Sequence, residues 1–271
     1  MERPTPSGSD PPPFSVHLLP TMLDGLPLAG TTAVIIDLLR ASTTITTALA
    51  AGADGVIPSA TVDEARQLAE KFAAGEVLLG GERGGTMIEG FDLDNSPTAY
   101  TPERVGGKPI VFTTTNGTAA IAASAAADRI LVGCFANFNT LVDLVIRDGR
   151  PVRLICAGTG GEISAEDVIC AGAFAAALWK HHGRPEIEHD QTLLALAMWE
   201  AAGKTAQTLL RALRNSRGGR NLRRLGYDAD IVTASRWDTH PLVPEFSPAE
   251  NILRPAADVR TNCVHLSPPQ T

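Results

Sequence analysis

The chain of 271 residues is poor in cysteine, with four, and in aromatic residues, at 5%. None of Cys134, Cys156, Cys170 and Cys263 sits in a CxxC pair or at a Cys/His spacing suited to zinc. That excludes a zinc ribbon and a disulfide framework. Three of them lie in apolar runs (LVGCF, LICAG, VICAG), where cysteine behaves as a small core residue and suits a reducing cytoplasm. Scarce aromatics leave no base-stacking platform. With 23 Lys and Arg against 30 Asp and Glu, the net charge is −7, the wrong sign for a general nucleic-acid or anionic-membrane binder. No apolar run approaches the ~20 residues of a membrane span. The opening MERPTPSGSDPPPF holds five of the 19 prolines and no apolar core. Residues 1–13 are therefore expected to be a disordered tail and not a signal peptide, and residues 263–271 to be loose.

What is present is a regular alternation. Short β-branched runs at Thr32–Ile36, Gly55–Ile57, Val77–Leu79, Ile110–Thr113, Arg129–Val132 and Val152–Cys156 read as strands. Helical patterns fall between and after them, at Thr43–Ala51, Val62–Ala73, Gly117–Ala126, Thr140–Asp148 and Ala165–His181. Thr61 and Glu64 form a capping box, and Gly52 and Gly75 lie where helices stop. Apolar strands between amphipathic helices predict a three-layer α/β/α domain with a mostly parallel sheet, spanning residues 14–262. From about residue 184 the pattern changes to two helices, Leu193–Ala202 and Ala206–Asn215, a basic stretch Arg217–Arg224 and a strand Asp230–Ala234. This section is either a small C-terminal lobe or the far edge of the same sheet.

Ligands of such sheets bind beyond the carboxyl ends of the strands. The unusual polar strings lie there: Asp37-LLRAST after the first strand, GGERGG after the third, TTTNGT after the fourth and CAGTGGE after the sixth. Arg40, Ser42, Thr43, Thr114, Asn116 and Gly117 supply forked donors, hydroxyls and helix-opening amides suited to phosphate, sulfonate or carboxylate. Arg83 adds a second guanidinium. Asp37, Glu82 and Asp92 are candidate oxygen ligands for Mg²⁺. Each has a plainer alternative: Asp37 as a turn former, Glu82 and Arg83 as a local ion pair, TTTNG as a capped turn. GTGGE lacks the GxGxxG spacing of a dinucleotide loop. Asp92-Leu-Asp94-Asn-Ser96 matches the D-x-D-x-[ST] string of haloacid-dehalogenase-type phosphatases, but no convincing buried strand precedes it.

In order, VIIDLLRASTTI, GGERGG, IEGFDLDNSP, IVFTTTNGT and ICAGTGGEISAEDVICAGA resemble the 2-phosphosulfolactate phosphatase (ComB-like) family. SRGGRNLRRLGYDADIVTASRWDTHPLVP resembles its closing motif, so the resemblance runs from about Val16 to about Ile252. The family usually has Gly where this chain has Asp94, which weakens the D-x-D-x-[ST] reading further.

The resemblance implies a Mg²⁺-dependent phosphatase converting (R)-2-phospho-3-sulfolactate to 3-sulfolactate and phosphate, in coenzyme M-type sulfonate metabolism. That substrate carries about four negative charges on three carbons, so an acidic protein must hold it with a metal, arginines and backbone amides. Asp37, Glu82 and Asp92 are assigned to the metal. Arg40, Arg83, Ser42, Thr43 and Thr114 are assigned to phosphate and sulfonate. Attack by an activated water and by Asp37 itself both stay open. Asn95, Glu162, Glu166, Asp230 and Asp238 form a second tier, with helix capping an equal account of Glu166. Alternatives are a phosphatase of this fold acting on another small phosphorylated acid, and a non-catalytic anion-binding module. The Arg217–Arg224 stretch reads as a solvated helix face or a rim that steers an anion. The partner is expected to be a small polyanion, with no nucleic acid and no membrane. A cytoplasmic location and, as is common for such enzymes, a homodimer complete the expectation.

Overall fold

A computed structural model describes residues 13–23, 25–187 and 189–259. Apart from Pro13, the expected tails, and with them Cys263, lie outside the described residues. Among these, nine strands form one sheet: β1 (Phe14–His17), β2 (Thr32–Ile36), β3 (Gly55–Ser59), β4 (Leu78–Gly81), β5 (Pro109–Thr113), β6 (Arg129–Val132), β7 (Val152–Cys156), β8 (Pro244–Ser247) and β9 (Ile252–Pro255). Their order is β1-β7-β2-β6-β8-β9-β3-β5-β4. Pairing is parallel within β1-β7-β2-β6 and within β3-β5-β4. The hairpin β8–β9 joins the two blocks with antiparallel pairs on each side.

The sheet is thus mostly parallel, covered on both faces by helices. In β2, Val34 and Ile36 point into one apolar cluster while Ala33 and Ile35 point into another. That is the period of two in a strand buried on both sides. The first face packs on α5 (Phe138–Asp148) and α6 (Ala165–His181), through Phe138, Leu141, Val168 and Phe174. The second packs on α1 (Ala41–Ala50) and α4 (Gly117–Ala123), through Ile45, Leu49, Ala120 and Ile121. Helix α2 (Val62–Ala69) opens on Thr61, whose hydroxyl accepts from Glu64 N at 3.1 Å, and covers Val111 beside β3 and β5. The short α3 (Pro102–Val105) leads into β5.

Helices α7 (Asp190–Ala202), α8 (Ala206–Asn215), α9 (Arg217–Arg224) and α10 (Asp228–Ala234) follow α6. They add Ala195, Leu209, Leu213, Leu222 and Ile231 to the same cluster as α5 and α6. Gly172 permits the close α6–α7 crossing, since a Cβ there would stand 2.1 Å from Ala195 O.

Three details differ from the sequence expectations. The strand expected at Asp230–Ala234 is helix α10. Asp228 and Asp230 in its first turn favour a helix start, and its one buried face, Ile231 with Ala234, has helical spacing. The late strands β8 and β9 lie in the middle of the sheet, not at its edge. Strand β1, too short to stand out, pairs along β7 at the sheet's edge. Cys134, Cys156 and Cys170 are buried free thiols, and burial pushes each thiol's pKa up. Among the described residues no helix is long and apolar enough to cross a membrane.

Candidate active site

The loops that leave the carboxyl ends of β2, β4, β5 and β7 meet helix α9 around a cleft of about 560 Å³. Its lining includes Asp37, Arg40, Glu82, Asn95, Thr114 and Asn116 from the sequence-predicted set. Thr115, Gly84, Gly85, Thr159 and Gly160 complete the loop side. Across from them α9 contributes Arg217, Arg220, Asn221 and Arg224.

Asp37 follows β2 directly and is 7% exposed. The turn into α1 is fastened by the hydroxyls beside it. Asp37 N donates to Ser42 Oγ at 2.9 Å, and Thr43 Oγ1 donates to Leu38 O at 2.9 Å. Ser42 and Thr43 therefore shape the turn and do not line the cleft. Ala41 N donates to Asp37 Oδ1 at 3.3 Å, while Oδ2 accepts no hydrogen bond from the described residues. Gly117 leaves room beside Oδ2: a Cβ there would stand 3.3 Å from it. Burial, then the charges of Glu82 and Glu166, push the Asp37 carboxyl up to about 7, against the pull of Ala41 N and Arg40.

Glu82 ties its own loop to the loop that follows β5. Its Oε1 accepts from Thr115 N at 3.1 Å and Thr115 Oγ1 at 3.0 Å, and its Oε2 accepts from Gly85 N at 2.6 Å. Arg83 turns away from the cleft, donating to Glu82 O, Ala60 O and Thr113 Oγ1. It braces the loop and is not available to an anion in the cleft. Asp92 is exposed and accepts from Leu79 N at 2.8 Å, so it does not join Asp37 and Glu82. The expected three-carboxylate group is thus not assembled, because the Asp92 side chain is spent on the Leu79 amide within β4. Among the described residues no group of three or more His, Cys, Asp or Glu side chains is placed to hold a metal.

Arg40 is 3% exposed and pairs with Asp230 at 2.8 Å, with both side chains buried. Its other terminal nitrogen donates to Gly85 O at 2.9 Å, and its guanidinium lies 4.5 Å from the centre of the Tyr227 ring. Asp230 also accepts from Ser96 Oγ at 2.6 Å, and Asp94 accepts from Tyr227 OH at 2.9 Å. Asp230 thus positions Arg40 from behind. The carboxylate at position 94 ties the 92–96 loop to the closing segment.

Glu166, at the start of α6, is 1% exposed, and its Oε2 has no hydrogen-bond partner. Burial pushes its pKa up, opposed by its own amide, the Ser216 hydroxyl, the Gly218 amide and the charge of Arg220. Asp167 beside it accepts from Leu38 N at 2.8 Å and Gly158 N at 3.0 Å, clamping the ends of β2 and β7. Glu162 pairs with Arg217 on the exposed rim. Asp238 accepts from Asn139 N and Nδ2, each at 2.7 Å, at the start of α5 and outside the cleft lining. Asn116 accepts from Gly160 N at 2.9 Å and so links the β5 and β7 loops.

Sequence reading missed Thr115 as part of this neighbourhood, and of its two readings of Arg217–Arg224, a solvated face or a rim, the second matches their place in the cleft lining. The arginines had a signal, since Arg217, Arg220 and Arg224 recur at helical spacing opposite the buried Leu222.

The fold and the cleft define an α/β protein whose sheet-end cleft is lined by buried carboxylates and by arginines. A family model described as 2-phosphosulpholactate phosphatase matches residues 20–248, and the chain belongs to that family. It is 41% identical to a relative from Symbiobacterium thermophilum over 226 residues, covering 83% of this chain and 95% of the relative. A relative from Caldanaerobacter subterraneus is 37% identical over 225 residues, covering 83% and 90%. One from Clostridium acetobutylicum is 35% identical over 219 residues, covering 81% and 91%. Each of the three is named "Probable 2-phosphosulfolactate phosphatase".

Proposed function

We propose that this chain is a Mg²⁺-dependent phosphatase that hydrolyses (R)-2-phospho-3-sulfolactate to 3-sulfolactate and phosphate, within coenzyme M-type sulfonate metabolism in the cytoplasm. The observation that carries the reading is Asp37. It is a buried carboxyl raised to about 7, with one oxygen unengaged, in a cleft also lined by arginines. The family membership and the relatives' names support the substrate.

The donor set fits a hard cation. Mg²⁺ keeps several waters and needs only one or two protein carboxylates. Asp37 Oδ2 and Glu166 Oε2 are unengaged, as are the buried Asn95 Oδ1 and Thr114 Oγ1. Asp37 and Glu166 would hold the ion, with Asn95 and Thr114 as neutral oxygen donors. Glu82, both of whose oxygens are engaged, would act on it through its charge. When bound, the ion neutralises charge on the phosphoryl oxygens.

The remaining work belongs to side chains. Arg40, fixed by Asp230 and Gly85, presents a preorganised cation to the phosphoryl group and needs no reorganisation during reaction. Asp37, whose Oδ2 has no other partner among the described residues, orients the attacking water beside the ion; direct attack by the same carboxylate uses the same placement. Thr114 and Thr115, held at the end of β5, line the path of the phosphoryl oxygens. A homodimer remains part of this proposal and is read by light scattering.

Phosphate release from 2-phosphosulfolactate, 2-phospholactate and phosphoglycolate, with Mg²⁺ or with EDTA, tests the assignment. The expected result is release fastest from the sulfonated substrate and lost with EDTA. Release from none of them overturns the phosphatase reading. A preference for phosphoglycolate overturns the substrate alone.

A further inference from the structure

The arginines of the cleft are not equivalent. Arg40 is committed to Asp230, and Arg217 to Glu162. Arg223 pairs with Asp228 and does not line the cleft. Arg220 and Arg224 do line it, and neither is in an ion pair with an acid of the described residues. Arg220 donates only to Asn215 O, and Arg224 donates to Asn221 Oδ1 at 2.7 Å. Both stand on the exposed face of α9 at i and i+4, about 6 Å apart along the axis. Like charges at that spacing disfavour a helix. The helix is nevertheless fixed. Ser216 Oγ accepts from Gly219 N at 3.0 Å, and Leu222 is buried beneath. Two glycines bring α9 in close: a Cβ on Gly218 would stand 2.1 Å from Glu166 Oε1, and one on Gly219 1.9 Å from Leu213 O.

A rigid helix that holds over a cleft two guanidiniums with no salt-bridge partner among the described residues, Arg220 reaching the buried Glu166 only through its charge, is a receptor for an anion. Asp37 and Arg40 line the sheet end of the cleft and take the phosphate in the reading above, so the α9 pair across from them faces the rest of the ligand. A planar carboxylate is satisfied by one guanidinium fork. A sulfonate has three oxygens in a tetrahedral array, enough for donors arriving from two guanidiniums a turn apart. We infer that Arg220 and Arg224 together bind the sulfonate of the substrate and set the preference for sulfonated over plain phospho-acids. The inference rests on the phosphatase reading above.

The test compares 2-phosphosulfolactate with 2-phospholactate, which lacks only the sulfonate. In Arg220→Gln and Arg224→Gln, kcat/KM for the sulfonated substrate is expected to fall at least about 10-fold, and kcat/KM for 2-phospholactate to stay within twofold. Inhibition by 3-sulfolactate is expected to weaken by the same factor, with inhibition by inorganic phosphate unchanged. Arg223→Gln serves as the control and is expected to alter neither substrate. Equal losses on both substrates, or no loss on either, overturn the inference. Calorimetric binding of 3-sulfolactate to the wild type and the two variants needs no turnover. It therefore tests the arginines even if the phosphatase reading fails, and equal affinity across the three proteins overturns the inference. Both side chains are exposed, so unchanged thermal midpoints are expected to show that the variants fold.

Discussion

At Asp37 the folded chain holds a proton that the unfolded chain releases more readily, because burial and two neighbouring carboxylates raise its pKa from 3.8 to about 7. Between pH 4 and pH 7 the folded state binds the extra proton, so this group's contribution makes stability fall as pH rises through that window. Above pH 7 the cost is fully present. Asp37→Asn is therefore expected to raise the thermal midpoint at pH 8, to raise it less at pH 5, and to remove activity at both. Scanning calorimetry at the two pH values reads the difference, and a lowered midpoint at pH 8 would contradict the burial argument. Asp230 gives the opposite case. Asp230→Ala leaves Arg40 buried and unpaired, a change that costs about 3–5 kcal/mol in comparable pairs and is expected to lower both the denaturation midpoint and kcat. Asp37 was legible from its place at a strand end. The commitments of Arg83 and Asp92 were not, because a sequence does not show which backbone groups a long side chain will meet.

At the scale of elements, α9 decides how close the basic wall comes to the carboxylates. The pair Gly218-Gly219 has a packing reason at each position, and the sequence string RGGR carried that information without revealing the neighbours. Gly219→Ala is expected to push α9 off the end of α8, with a stability loss of about 1–3 kcal/mol, typical of overpacking. Catalysis would fall with it, while Gly226→Ala, whose Cβ meets nothing within 4 Å, would cost only the strain of its positive φ. Denaturant melts of the two variants separate crowding from strain. Helix α10 was misread as a strand because Ile231 and Val232 look β-like in isolation, whereas the acidic first turn and the packing of Ile231 settle it as a helix.

At the scale of the whole molecule, the alternation of strands and helices made the layered fold legible, since it follows from the period of the buried residues. The insertion of β8–β9 between two parallel blocks was not legible. It depends on a pairing of β9 with β3 across nearly two hundred residues of chain, which no local pattern encodes. The acidic net charge of −7 disfavours anionic polymers that would meet the whole surface. It is compatible with a small polyanion met in one arginine-lined cleft. In the proposed site Mg²⁺ would compete with a proton at Asp37, so its affinity is expected to weaken about 10-fold from pH 8 to pH 6, read by calorimetric titration with Mg²⁺. The central claim is tested most directly by phosphate release from 2-phosphosulfolactate by the wild type and by Asp37→Asn, side by side with saturating Mg²⁺. The account expects turnover by the wild type and a loss of at least about 10³-fold in the variant. Undiminished release by a folded Asp37→Asn protein would contradict it.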